Sequence, residues 1–200
     1  MIDVPRVLAL HRDTVIRWHQ KDIDQPFERI HGIVCQQHSF NFRLWHEEDI
    51  ARSPDASDTR IAEVKRAIDG YNQQRNDWIE RVDEALIETF GALGVRPAED
   101  AKLNTETPGS AIDRLSIMSL RVYHLTEHLD RVDADDQLLE KVRQQLTRCR
   151  VQQRDLSQSL VELLDDLLAG RKVLRVYRQM KMYNDPTLNP YLYKSVAQAA

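Results

Sequence analysis

The stretch from Asp136 to Ala169 constrains the fold more than any other. Leu139, Val142, Leu146, Cys149, Gln153, Leu156, Leu160, Leu163 and Leu167 recur at alternating steps of three and four, with no glycine or proline between them. That spacing is a heptad seam along one face of a helix of about nine turns. A seam of this length needs a partner helix. The partner is either an antiparallel neighbour in the same chain or a second copy, in which case the seam makes a homodimer. The rest of the chain suits long helices too, since 200 residues hold only 6 glycines and 7 prolines while 30% are charged and 42% hydrophobic.

The periodicity predicts an all-α fold, a single domain over residues 1–200 built as a bundle of about five long helices. These run at about Pro5 to Gln20, Pro26 to Arg52, Asp58 to Leu93, Pro108 to Arg131 and Asp136 to Ala169. Pro5, Pro26 and Pro108 each stand where a first helical turn tolerates proline, and Gly170 follows the fifth helix as a terminator. Gly91 to Glu106 reads as the one long loop. Residues 170–200 form a different, irregular segment that packs on the bundle or extends from it. There Arg171, Lys172, Arg175, Arg178 and Lys181 alternate at helical spacing with Val173, Val176, Tyr177 and Met180, ahead of the Tyr- and Pro-containing run YNDPTLNPYLY. Such a basic segment suits packing on an acidic bundle, and less often a membrane or a phosphate.

Charge and cysteine usage exclude several classes. A net charge of -4 and a pI near 6.0 oppose general nucleic-acid binding, which needs a basic surface. Cys35 and Cys149 stand far apart, so neither a disulfide framework nor a Cys-based zinc site is indicated, and a reducing cytoplasm fits best. No run is long and apolar enough to form a transmembrane segment, and the first residues lack a signal-peptide core.

Polar residues on apolar helical faces mark where a site would be built. On the second helix Gln37, Asn41, Glu48 and Arg52 share the stripe of Ile30, Val34, Leu44 and Trp45. On the third, Arg75 lies among Val64, Ile68, Tyr71, Ile79 and Val82. Beside it runs a polar stripe of Lys65, Asp69, Asn72, Asn76, Glu80 and Asp83. Consecutive helices pack as neighbours, so Glu48 is expected to pair with Arg75 in the interior.

Thr107 is a good N-cap and Pro108 a good first helical residue. Gly109 leaves the free N–H groups of that turn open beside Ser110, a geometry that suits an anion. Asp113 and His124 lie on a flank of the same helix that can face the groove lined by the second and third helices. These positions together predict a polar interhelical site for a small anionic ligand, phosphorylated ligands included. Its residues are Asn41, Glu48, Arg52, Asp69, Asn72, Arg75, Asn76, Thr107, Ser110, Asp113 and His124. The alternative is a helical scaffold or interaction protein that uses its fifth helix as a partner surface.

The segments NFRLWHEEDIAR, KRAIDGYNQQRND, NTETPGSAIDRLSI and KMYNDPTLNP resemble a bacterial family, domain of unknown function 4254. The resemblance implies a bacterial protein of this length and names no reaction. The helical nucleoside-triphosphate pyrophosphohydrolases use Glu-x-x-Glu with a later Glu-x-x-Asp to hold magnesium. Glu80 and Asp83 have the second spacing, but Ile50 and Ala51 stand where the first would need acids. A magnesium-dependent phosphoanhydride hydrolase with Glu48, Asp49, Glu80 and Asp83 as ligands is therefore a second alternative. A di-iron bundle would need two Glu-x-x-His pairs, and only Glu28 with His31 has that spacing, with Glu28 off the core stripe; a phosphate-binding glycine loop and a Gly-x-Ser-x-Gly elbow are missing.

Overall fold

Three helices begin where a short polar side chain caps them. Ser57 accepts from the Arg60 N–H at 3.2 Å, Thr107 from Ser110 at 3.2 Å and Asp135 from Leu138 at 2.7 Å, each satisfying a donor of a first turn. The computed structural model describes residues 2–180 and 182–193. Its elements are α1 (Val4–Trp18), α2 (Arg29–Ala51), α3 (Asp58–Ala92), β1 (Lys102–Leu103), α4 (Pro108–Glu127), a 3-10 turn (His128–Asp130), α5 (Asp136–Leu168), β2 (Lys172–Val173) and a second 3-10 turn (Met182–Asn184). The fold is all-α, and no described helix is long and apolar enough to cross a membrane.

Helix α4 is the central one, in contact with each of the other four. Both its flanks are occupied, because Ala111, Ile112, Leu115, Met118 and Leu120 are all buried. The α5 seam is used within the chain: Val142, Leu146, Leu160, Leu163 and Leu167 are buried, and α5 packs mainly along α4. The main core joins α1, α2, α4 and the second half of α5 with Val82, Leu86 and Phe90 of α3. Leu44, Val64 and Ile68 form a smaller cluster where the early part of α3 meets α2.

One helix start needs correction. Pro26 does not open α2, which starts at Arg29. Asp24 accepts from Arg17 Nε at 2.9 Å and from Trp18 Nε1 at 3.0 Å, tying the connection to α1. Arg29 itself takes φ 52°, so right-handed helix propagates only beyond it. The basic segment after α5 is irregular, as expected, because Gly170 adopts φ +69° and turns the chain away from α5. A Cβ there would lie 2.5 Å from the Arg96 carbonyl oxygen. The chain then pairs β2 with β1 in a short parallel ladder. Arg171 and Lys172 both meet Asp166, at 2.7 and 3.2 Å, and Arg178 meets Glu80 at 2.8 Å and also Glu84. Lys181 lies outside the described residues.

Candidate functional site

Asp113 is the centre of a buried polar network on α4. Its carboxylate accepts from Gln37 Nε2 at 2.5 Å and Asn41 Nδ2 at 2.8 Å on α2, and from Arg75 Nε at 2.8 Å and Nη2 on α3. Asn41 also donates to the Ser116 hydroxyl at 2.8 Å, which contacts His38 Nδ1 at 2.6 Å. A carboxylate this deep is tolerable only because every approach to it carries a donor. The bond to Asp113 raises the Arg75 pKa further, so the guanidinium stays charged although it is mostly buried.

The expected Glu48–Arg75 pair does not form. Glu48 turns outward to Arg52, one helical turn away at 2.5 Å, and both side chains are well exposed. Arg75 does meet a buried carboxylate, but the carboxylate belongs to Asp113 on α4. Rotation of α2 decides this: Gln37 and Asn41 are buried, whereas at Glu48 the helix packs on the first part of α3 through Leu44, Ile50 and Ala51 and leaves the carboxylate half-exposed.

The named residues divide among separate places. Asn41, Glu48, Arg52, Asn72 and Arg75 line one cleft of about 360 Å³ with Asp49, Leu44, Trp45, Ile117 and Leu120, and Asp113 stands behind Arg75. Asn76, Thr107 and Ser110 line a different cavity of about 330 Å³ with Glu80, Asp83 and the chain around Arg178. Asp69 is exposed and paired with Lys65 at 3.1 Å, on a solvated face.

The first turn of α4 does bind an anion, and the anion is the chain's own. Asp83 of α3 accepts from the Gly109 N–H at 2.7 Å, with Thr107 also bonded to it. Gly109 is required by this close approach, since a Cβ there would lie 2.6 Å from the Ile79 carbonyl oxygen and 2.9 Å from both Asp83 oxygens. Burial pushes the Asp83 carboxyl up to about 6, against the downward pull of the Thr107 and Gly109 bonds. The expected cradle for an external anion is thus already filled.

The four carboxylates considered for magnesium do not gather. Glu48 and Asp49 line one cavity, Glu80 and Asp83 another, and Glu80 is held by Arg178. Among the described residues, the group of three or more side chains close enough to hold a metal ion is His19, His46 and His124. His124 therefore faces two other imidazoles rather than the Arg75 cleft. Sequence reasoning missed His19 and His46, because ligands from three separate helices leave no spacing to read; their only signal is that both sit next to tryptophans, Trp18 and Trp45.

The family model described as "Protein of unknown function (DUF4254)" matches residues 31–176, more than two thirds of the chain. The chain belongs to the DUF4254 family. That span contains the Asp113 network, the cleft and two of the three histidines, while His19 and the KMYNDPTLNP segment lie outside it. Comparison with curated proteins and with solved structures gives no match, so family membership carries the fold region of DUF4254 and no reaction.

Proposed function

We propose that the cleft between α2, α3 and α4 binds a small ligand through one anionic group, a phosphoryl or a carboxylate. The observation that carries this reading is the anchoring of Arg75. Gln37, Asn41 and Asp113, from two other helices, fix a guanidinium whose side chain remains 26% exposed in the cleft. Its Nε and Nη2 are committed to Asp113, which leaves Nη1 as a preoriented donor. Asn72 and Arg52 line the same cleft, and Trp45 and Leu44 supply an apolar wall. Arg52 is held at Glu48 by an exposed ion pair one turn apart and by a bond from the same Nη1 to the Glu48 carbonyl oxygen at 2.6 Å; such an exposed pair competes weakly with a ligand.

The charge balance narrows the ligand class. Asp113 neutralises Arg75, and Glu48 and Asp49 stand on the rim, so recognition rests on directed N–H groups more than on net positive field. A single anionic group suits such a site better than a polyphosphate does.

Thermal denaturation with nucleoside monophosphates, sugar phosphates, small carboxylates and nucleoside triphosphates tests the reading. A ligand present at about one hundred times its Kd should add about 2.7 kcal/mol, raising the Tm by roughly 5 to 11 °C. Arg52→Ala and Asn72→Ala should abolish that rise and leave the unliganded Tm within about 2 °C. A flat response across the panel, or an undiminished one in both variants, would favour a scaffold role instead.

A further inference from the structure

Three imidazoles from three helices meet where α1 stops. His19 is the C-cap of α1, His46 lies on the last turns of α2 and His124 on the last turns of α4. One ring nitrogen of each lies within 4.8 Å of those of the other two. The remaining nitrogens show which ones can ligate. His19 Nδ1 lies 2.7 Å from the Val15 carbonyl oxygen, His46 Nδ1 2.7 Å from that of Phe42, and His124 Nδ1 2.8 Å from Glu127 Oε2.

A carbonyl can only accept, so His19 and His46 carry their proton on Nδ1 and keep the lone pair on Nε2. The Glu127 carboxylate sets His124 the same way. Nδ1–H given to a carbonyl or carboxylate is how metal-ligating histidines are oriented. The Nε2 atoms of His19 and His124 are buried and meet no hydrogen-bond partner among the described residues. Such lone pairs, drawn together in a half-buried place, call for a shared cation.

The rings are also fixed in orientation. His124 stacks on Trp45 with centroids 4.8 Å apart and planes at 7°, His19 stacks on Tyr123 at 4.1 Å, and Phe42 packs against both His19 and His46. With metal–nitrogen bonds of about 2.1 Å, tetrahedral ligands stand roughly 3.4 Å apart, so the cluster needs to contract by at most about 1.4 Å.

We propose that His19, His46 and His124 bind one divalent transition-metal ion of the zinc class through their Nε2 atoms. Three neutral imidazoles suit zinc and its neighbours and do not suit magnesium or calcium, which take oxygen ligands. Three protein ligands leave a fourth position for water or for a donor atom of another molecule, the arrangement of a reactive rather than a closed structural site. Trp45 ties this site to the cleft, because the indole that stacks on His124 also lines the cleft wall. The metal site does not depend on the cleft binding anything.

The test is titration of tag-free, chelator-treated protein with Co²⁺ and Zn²⁺, following cobalt d–d absorption, tryptophan fluorescence and calorimetric heat. One equivalent should bind, giving the absorption of a low-coordinate nitrogen site and a change in tryptophan emission. His46→Ala and His124→Ala should each weaken binding at least 100-fold. Glu127→Gln, a change at an exposed position that leaves all three ligands in place, should weaken it about 10- to 100-fold. His128→Ala, an exposed imidazole outside the cluster, should change nothing. Absence of one-equivalent binding in the parent protein would overturn the proposal, as would unchanged affinity in His46→Ala, His124→Ala and Glu127→Gln.

Discussion

Arg75 on α3 holds Asp113 on α4 by two parallel N–H···O bonds, Nε to Oδ1 at 2.8 Å and Nη2 to Oδ2, with the carboxylate almost wholly out of solvent. Removing one partner strands the other. Arg75→Ala leaves Asp113 with two amide donors and no counter-charge, and should cost about 3 to 5 kcal/mol. Replacing both by apolar residues should cost well under the sum of the single changes, a coupling of about 1.5 kcal/mol or more in a urea-denaturation double-mutant cycle. Additive single effects would mean that the pair contributes nothing beyond its separate packing.

Asp83 should make stability fall as pH rises from about 4 to about 6. Its folded-state pKa of about 6 exceeds the ordinary 3.8, so in that window the native state holds a proton that the unfolded chain has released. A difference of about two pH units corresponds to roughly 3 kcal/mol. Asp83→Asn keeps an acceptor for the Gly109 N–H and should flatten this part of the profile, measured as ΔG of unfolding against pH.

His11 acts with the opposite sign. It is fully buried, neither ring nitrogen has a hydrogen-bond partner among the described residues, and burial lowers its pKa from 6.5 to about 3. Below about pH 6.5 the unfolded chain takes up a proton that the native state refuses, so stability is lost as pH falls toward 3, by a few kcal/mol. His38, whose ring lies 4.6 Å away, is pushed in the same direction by its own burial and then by His11. His11→Leu should move the acid-unfolding midpoint to lower pH; an unmoved midpoint would assign acid lability to other groups.

Gly109→Ala separates helix propensity from packing. Alanine inside a helix is favoured by about 1 kcal/mol over glycine, which alone would raise the Tm. The Ile79 carbonyl oxygen, 2.6 Å from the new Cβ, reverses the sign by forcing α3 and α4 apart and stretching the Asp83 bond. A net loss of about 1 to 3 kcal/mol, a fall of roughly 2 to 12 °C, is expected in thermal denaturation.

Much of the polar site was legible in part. Gln37 and Asn41 lie on the core-facing stripe of α2 and are buried, and Arg75 is the misplaced cation that periodicity makes it. Periodicity gives a rotation about each helix axis but no crossing position, so it pairs Arg75 with the nearest plausible acid in the next helix. Glu48 is that acid by sequence, and Asp113, thirty-eight residues away, is the partner by packing. The same limit hides the anion at the α4 N-terminus: Thr107, Pro108 and Gly109 announce an open first turn, and only the approach of α3 shows that Asp83 fills it.

The sequence by itself determined the all-α class, the starts of α3, α4 and α5, and the face that α5 buries, because caps and heptad spacing act within a few residues of chain. Tertiary structure alone decided which polar groups meet. The C-terminus of α1 and the last turns of α2 and α4 bring His19, His46 and His124 together across more than one hundred residues of chain. Such convergence depends on where helices cross and how far each extends, quantities set by side-chain packing across the whole core and written in no local stretch.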